Sequence, residues 1–291
     1  CANRVIYGNV ILASVNYPAS FMYSESNDHT TTKAASLVSV GEGTGQIIAV
    51  RNLGVQSFAI YTRRGQYVAT SQGGAVPFRV DYRSGEAGPA SPAAVVTAGS
   101  QYYLGDDANF YRFDGSPASA IGDPVHAAVR ASLNSDYRDR SHGVYDRNHR
   151  EIHWFWVPLG DTEVKACITY SLKTGIWSPI HSFNRYLSAS WDWDEQSALS
   201  WTDLTGTWTS LGTTYATWLA MGAASQPAQI VGQVGGQTYI LGRRSTDDGD
   251  AIATEWEYPA LIVGGDGNEV VVETVEPYYK QLGSAMTLSL K

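Results

Sequence analysis

Residues 99–115 read GSQYYLGDDANFYRFDG and residues 143–158 read GVYDRNHREIHWFWVP, and these two segments decide the fold class. In each segment a polar turn, at 106–109 and at 146–149, separates two short runs of aromatic and β-branched side chains. This arrangement is typical of a β-hairpin. The chain is therefore expected to be built from antiparallel strands.

Further strands are predicted along the chain on both sides of these two hairpins. Few windows repeat apolar residues at the helical spacing, whereas many short runs alternate and are separated by Gly, Asp, Asn and Pro. The predicted strands are 4–12, 46–51, 57–62, 66–70, 101–104, 109–113, 143–145, 151–157, 166–170 and 237–241. The sequence thus predicts an all-β protein.

Loose repeats of about 40 residues favour a β-propeller over a sandwich or a barrel. The two hairpin segments resemble each other and also residues 232–243, GQVGGQTYILGR, in which glycine again precedes an aromatic-containing strand. A four-stranded blade buries its faces only by stacking on neighbouring blades. We expect residues 1–246 to form a propeller of about five to seven blades.

The composition changes near Thr246. Residues 247–291 contain alternating runs at 252–258, 269–277 and 285–290 without the repeat pattern. These runs predict part of a second, sandwich-like platform domain or of the scaffold from which the propeller is inserted, and the segment is expected to be incomplete.

The charge balance argues against tight binding of nucleic acid. The chain contains 20 Lys and Arg and 28 Asp and Glu, which gives a net charge of −8. Binding of nucleic acid through counterion release needs a basic surface. No apolar run approaches the roughly 18 residues of a membrane span. The chain is expected to be folded and without a membrane anchor.

Two cysteines, Cys1 and Cys167, are too few for a disulfide framework and lack the spacing of a zinc knuckle. A lipidated Cys1 would fit a third interpretation, a bacterial surface lipoprotein on a propeller scaffold. Because Cys1 leads directly into a predicted strand without a flexible tether, this interpretation is disfavoured.

A metal site is suggested only by the run from His149 to His153. A zinc protease needs His-Glu-x-x-His on a helix, but here Glu151 is displaced and the run is predicted to be a strand. Residues 149, 151 and 153 would share one face of that strand. A surface position at the edge of a blade is favoured over a metal site.

An acidic cluster, Asp247, Asp248, Asp250 and Glu255, resembles a calcium loop but misses the EF-hand spacing. We interpret it as a turn between domains.

No catalytic motif is present. The chain lacks a Gly-x-Ser-x-Gly elbow and a phosphate loop, and the glycine-rich residues 41–45 precede no predicted helix. Residues 171–177 approach the sialidase Asp box but lack its Asp. No catalytic, cofactor-binding or metal-binding residue is predicted, and the protein is expected not to be an enzyme.

A carbohydrate-binding or glycoside-cleaving propeller is the alternative. Asp192 and Asp194 alternate with Trp191 and Trp193, and Trp201 follows. Acids beside aromatic platforms suit sugar chemistry. Tryptophans in propellers, however, mostly pack blades together, and alternating Asp residues on a strand mostly face water.

Four segments, 3–28, 99–125, 144–179 and 247–257, together resemble the tail hub or nozzle family of short-tailed bacteriophages, also called packaged-DNA stabilisation proteins. They carry Tyr-Ser-Glu-Ser at 23–26, Tyr-Arg-Phe-Asp-Gly at 111–115, Tyr-Ser at 170–171 and Trp-Ser at 177–178, among other pieces. The match is in the order of these pieces, which span nearly the whole chain.

This resemblance implies a virion protein of the phage tail. It implies a homo-oligomeric ring of about six subunits beneath the portal and adaptor, which retains packaged DNA and lets it pass on ejection. It carries over no catalytic residue and no cofactor. Family members usually have further platform segments, so this chain is short for the family.

Overall fold

The computed structural model describes residues 3–41, 43–73, 77–194, 227–233, 238–241, 246–247 and 250–251. The chain divides into two compact units, Cys1–Ile240 and Leu241–Lys291. The described elements are mostly β-strands in antiparallel sheets, which confirms the all-β fold class. The predicted strands 252–258, 269–277 and 285–290 lie outside the described residues.

Nineteen strands and three short helices are described. The strands are β1 Ile6–Leu12, β2 Val15–Glu25, β3 Asp28–Ser39, β4 Ile47–Asn52, β5 Ser57–Thr62, β6 Gly65–Ser71, β7 Phe78–Ser84, β8 Val95–Ala98, β9 Ser100–Leu104, β10 Phe110–Phe113, β11 Ser119–Ala120, β12 His142–Asp146, β13 Glu151–Trp156, β14 Val164–Ser171, β15 His181–Asp194, β16 Pro227–Gln233, β17 Thr238–Leu241, β18 Thr246–Asp247 and β19 Asp250–Ala251. The helices are a 3₁₀ turn at Pro92–Ala94, α1 at His126–Ser132 and a 3₁₀ segment at Ser135–Arg140.

The strands follow one another as antiparallel meanders, each strand pairing with the next. Sheet 1 contains β1–β3, sheet 2 contains β4–β7, sheet 3 contains β8–β11 and sheet 4 contains β12–β17. In the second unit, β18 and β19 form a two-stranded hairpin. Apart from residues 195–226, which separate β15 from β16, the connections within each sheet are short, so each sheet is largely a local unit of the chain.

Sheet 4 is interrupted within β15. Val164 of β14 pairs with Leu187, but Ala166 pairs with Ser182, so β15 has a bulge between these two positions. Residues 181–182 complete the meander of β12–β14, and residues 187–194 pair with β16. Because β12 lies close to both β15 and β16 without pairing with either, the sheet folds back at the bulge.

The strand predictions are confirmed at ten positions. The predicted runs correspond to β1, β4, β5, β6, β9, β10, β12, β13, β14 and β17, with ends that agree within two residues. Both predicted hairpins form, with Leu104 opposite Phe110 and Asp146 opposite Glu151. The sequence pattern does not predict α1, because only Val129 of this short helix is buried and no apolar stripe develops.

The sequence repeats mark hairpins rather than equivalent blades. The first repeat contains β9 and β10, the middle strands of sheet 3, whereas the second contains β12 and β13, the first two strands of sheet 4. Residues 232–243 include the end of β16 and all of β17. The repeat therefore reflects the shared chemistry of hairpins, and the sheets are defined by pairing.

Consecutive sheets pack face to face through three apolar clusters. Between sheets 1 and 2 lie Phe21, Phe58 and Phe78. The second and third clusters are formed by Tyr61, Tyr103 and Phe113 between sheets 2 and 3, and by Phe110, Trp154 and Trp156 between sheets 3 and 4. The cores of the described sheets therefore lie in the spaces between them.

Replacing Phe110 with Ala is expected to lower the free energy of unfolding by about 3–5 kcal/mol, because the fully buried ring would leave a cavity. Val55, which is 87% exposed, gives the control Val55→Ala, with an expected change below about 0.5 kcal/mol. Urea denaturation measures both. Equal losses would contradict the packing described for sheets 3 and 4.

Candidate functional site

The first strands of sheets 2, 3 and 4 follow one another through the segments that connect the sheets, and we call them the first-strand wall (β4, β8 and β12). β8 lies close to β12, and β4 lies close to the 3₁₀ turn that precedes β8. Arg51 on β4 donates a hydrogen bond to the carbonyl of Pro92. The Ser91 hydroxyl donates to the carbonyl of Ser141, which comes directly before β12. Hydrogen bonds thus join β4 to the turn before β8, and that turn to the residue before β12.

This wall carries two charged residues, Arg51 and Asp146, and the charged groups of both have partners within the chain. The Arg51 guanidinium donates to the carbonyls of Val50 and Pro92. The Asp146 carboxylate accepts from the backbone of Asn148 and from the ring and backbone of His149. Burial opposes ionisation of Asp146, but these hydrogen bonds hold its pKa below the ordinary value. The wall therefore offers little charge to an external ligand.

Three tryptophans fasten sheet 4 to the elements before it. The indole N–H of Trp154 donates to the carbonyl of Ala94 at 3.0 Å, and that of Trp177 donates to Ile121 at 3.1 Å. Trp156 donates to the hydroxyl of Ser132 at 3.2 Å. Trp154 and Trp156 are thereby buried, and Trp177 partly buried, with the polar atom of each ring satisfied. These tryptophans pack sheets together, which is the role that the sequence favours for them.

An ionic bridge links three consecutive sheets at one end. Asp106, in the β9–β10 turn, contacts Arg63 of the β5–β6 turn at 3.4 Å and Arg138, just before β12, at 2.8 Å. The backbone of Gly88 extends this link, because its N–H donates to Arg63 and its carbonyl accepts from Asp106. The sequence does not reveal this bridge, since its members lie 75 positions apart at the extremes.

Buried tyrosines fill the space between sheets 2 and 3. The Tyr61 hydroxyl donates to the side chain of Gln101, and the Tyr111 hydroxyl donates to Asp107 at 2.7 Å. Burial raises the pKa of Tyr61, Tyr103 and Tyr111 above the ordinary value. These phenols therefore stay neutral and act as structural groups rather than as bases.

The two histidines of the suggested metal site contact different partners in the structure. His149 lies in the β12–β13 turn and contacts Asp146 at 2.7 Å, whereas His153 lies on β13 with Nδ1 2.9 Å from the Thr169 hydroxyl. Glu151 lies opposite Asp146 on one side and Ser171 on the other. Within the described part of the chain, no three His, Cys, Asp or Glu side chains are arranged to hold a metal ion.

Cys167 is not arranged as a nucleophile. It lies on β14 opposite His181 of β15, a pairing that resembles a cysteine–histidine dyad. Burial, however, raises the pKa of the Cys167 thiol far above its ordinary value. The thiolate needed for attack is therefore strongly disfavoured. Cys1 lies outside the described residues.

The acidic cluster that we interpret as a turn between domains is described only in part. Asp247 and Asp250 are opposite each other in the β18–β19 hairpin, and Asp248 and Glu255 lie outside the described residues.

The tryptophan-rich segment is placed by its backbone alone. Trp191, Asp192, Trp193 and Asp194 lie on β15 and pair with β16, while Trp201 lies outside the described residues. The segment that approaches the Asp box forms the connection after β14, and its Trp177 packs against the core between sheets 3 and 4.

Comparison with known proteins gives little guidance. No protein-family model matches the chain, and no curated protein matches it. Among solved structures, the chain is similar to the crystal structure of BBS1N in complex with ARL6DN, at a TM-score of 0.42 and 12% identity. The match covers 82% of this chain and 65% of that one, so the chain spans just under two thirds of its length. At this TM-score the likeness supports no conclusion about function.

No helix among the described residues is both long and apolar enough to cross a membrane.

Asp106→Asn is expected to lower the free energy of unfolding by about 1 kcal/mol, because it weakens both arginine contacts at a partly buried position. Asp114→Asn is the matched control. Asp114 contacts Arg112 at 3.8 Å with half of its side chain exposed, so its loss should have almost no effect. Thermal unfolding of the two variants at low and high salt tests this, and equal shifts would refute the bridge.

Proposed function

We propose that the chain is a β-propeller of about five to seven blades that acts as a non-catalytic structural component of a phage tail. The observation that supports this architecture is the face-to-face packing of consecutive antiparallel meander sheets. Stacked blades around an axis have this arrangement. Residues 247–291 would contribute to a second, platform-like β domain.

The assignment to a tail hub or nozzle rests on the ordered sequence pieces that resemble that family. A subunit in such a ring has to keep its shape under load, and the described sheets suit this demand because buried aromatic side chains and hydrogen-bonded indoles join them. In this proposal the ring lies beneath the portal and adaptor of the virion, retains the packaged genome and releases it on ejection.

The charge distribution supports a conduit that does not bind DNA. The net charge is −8, and the two charged residues of the first-strand wall already have partners within the chain. We expect Asp and Glu to outnumber Arg and Lys on the surface that lines the assembled conduit, so that phosphates find few cations. A conduit ringed by arginines would contradict this expectation.

Electron microscopy of phage particles labelled with an antibody against this chain tests the proposal directly. Label at the tail vertex is expected, and label confined to the capsid or to the host cell surface would refute it. Binding to a glycan array that is lost when Trp191, Trp193 and Trp201 are changed to Ala would instead favour the carbohydrate alternative.

The purified chain is expected not to bind a short DNA duplex. Basic proteins bind DNA non-specifically with Kd of roughly 10⁻⁴ to 10⁻⁶ M at physiological salt, and this acidic chain should show no binding in that range. Fluorescence anisotropy of a labelled duplex at low salt measures it. Binding that weakens steeply with added salt would contradict the passive-conduit proposal.

An exposed ribbon is our candidate for the contact between copies of this chain. β2 pairs with β3 only from Ser20 onward. Residues 9–18 of β1 and β2 therefore extend beyond the end of β3 as a two-stranded ribbon. Ile11 is 71% exposed and Val15 is 52% exposed. Residues 5–24 contain no charged side chain. Because each copy carries a charge of −8, an uncharged apolar ribbon is the part that can approach another copy with least repulsion.

The double variant Ile11→Ser, Val15→Ser is expected to dissociate the oligomer, because two exposed apolar contacts would be replaced by hydroxyls. Val55→Ser, at an even more exposed apolar position between β4 and β5, is the control and should leave the assembly intact. Light scattering after size-exclusion chromatography gives the mass. A monomeric wild-type chain, or dissociation by the control, would refute the ribbon contact.

A further inference from the structure

Four of the six histidines lie on one side of sheet 4. His142, Phe155, Cys167 and His181 are successive cross-strand partners on β12, β13, β14 and β15, so they share a face. His153 lies two residues before Phe155 on the same face. His149 reaches this side through its contact with Asp146. We call these four histidines, with Phe155 and Cys167, the histidine face.

His142 is buried and neutral. It is 6% exposed, and its ring stacks on Phe155 with centroids 5.1 Å apart. Its Nδ1 lies 3.1 Å from the carbonyl of Arg140, and since a carbonyl only accepts, Nδ1 carries the hydrogen. Nε2 is then the unprotonated nitrogen, and it has no hydrogen-bond partner among the described residues. Burial lowers the pKa of His142 below its ordinary value.

His153 is partly buried, and its pKa is lowered as well. Burial lowers its pKa to about 4, although the nearby Asp146 acts in the opposite direction. Its Nδ1 contacts the hydroxyl of Thr169, a group that cannot neutralise an imidazolium. Protonation of either histidine would therefore place a charge in a poorly solvated position.

The described cover of this face is apolar. Phe183 of β15 stacks on Phe155, with ring centroids 6.1 Å apart. β12 lies close to both β15 and β16.

Charged and titratable groups of sheet 4 lie around the edges of the face. The described ones are Asp146, His149, Glu151, Lys165 and His181, with Asp161 in the β13–β14 turn and Arg140, which pairs with Glu163, close to His142 in the chain. Asp146 pairs with His149, and Lys165 pairs with Asp161 at 3.9 Å. None of these described side chains forms a hydrogen bond or an ion pair with His142. β15 also carries Arg185, Asp192 and Asp194.

We propose that the seam between the histidine face and the covering part of β15 and β16 is acid-sensitive, and that it opens when His142 and His153 take up protons. The closed seam binds fewer protons than the open one, because these histidines titrate near 6.5 when solvated and at lower pH when buried. The seam is therefore fully stable above about pH 6.5 and loses stability as the pH falls toward about 4. This property is independent of the proposed tail function.

Cys167 provides a reporter inside the seam. It is 4% exposed, and Cys1→Ser makes it the sole thiol of the chain. The labelling rate with 4,4′-dithiodipyridine, divided at each pH by the rate of N-acetylcysteine, measures opening. Between pH 7 and pH 5 this ratio is expected to rise by about tenfold or more, because opening takes up a proton at each histidine once the pH lies below about 6.5. The far-UV circular dichroism should remain unchanged.

The double variant His142→Asn, His153→Asn, in the Cys1→Ser background, keeps an N–H donor at each position but cannot titrate. It is expected to show a ratio that stays constant from pH 7 to pH 5. His181→Asn is the matched control, because His181 lies on the same face but is exposed, and it should behave like the parent.

A variant that changes no histidine keeps the proposal testable if the double variant does not fold. Phe183→Ala removes the ring that covers Phe155 and is expected to move the opening to higher pH. A pH-independent ratio in the parent, an unchanged profile in a folded double variant, an unmoved midpoint in Phe183→Ala, or loss of the far-UV signal together with labelling would each overturn the proposal.

Discussion

Sheets 2 and 3 have to bury both of their faces at the same time, and the rest of the described structure depends on this constraint. Along β5, Phe58 and Ile60 enter the cluster shared with sheet 1, while Ala59 and Tyr61 enter the cluster shared with sheet 3. A four-stranded meander with apolar side chains on both faces is not stable alone. Stacking on both neighbours removes the exposed apolar surface, so the sheets form a series.

Polar contacts then fix how one sheet lies on the next. Apolar burial has little directionality, whereas the indole of Trp154 has a single donor that must meet the carbonyl of Ala94. Asp106 similarly joins two arginines from neighbouring sheets at one end of the series. These polar groups are therefore bonded within the chain and hold the described sheets together.

Much of the local structure could be predicted, because a hairpin is encoded by neighbouring residues. The polar turn after Leu104 and the aromatic strand that begins at Phe110 are sufficient to define β9 and β10. The repeats were harder to interpret, since similar hairpins occupy different positions in their sheets. Histidine spacing along the chain pointed to His149 and His153, whereas cross-strand pairing placed His142 beside Phe155 and Cys167 opposite His181. That grouping depends on register, which linear spacing does not show.

The amino-acid sequence alone determined the β class, the main hairpins, the acidic balance and the lack of a recognisable catalytic motif, because each follows from residue type and near-neighbour pattern. The grouping of strands into sheets, the bulge that folds sheet 4 back within β15, the bridge at Asp106 and the histidine face were decided by tertiary structure. The physical reason is that these features join residues far apart in the chain. Their proximity is set by which faces pack together, and a periodic pattern of apolar residues shows that a face is buried but not what lies against it.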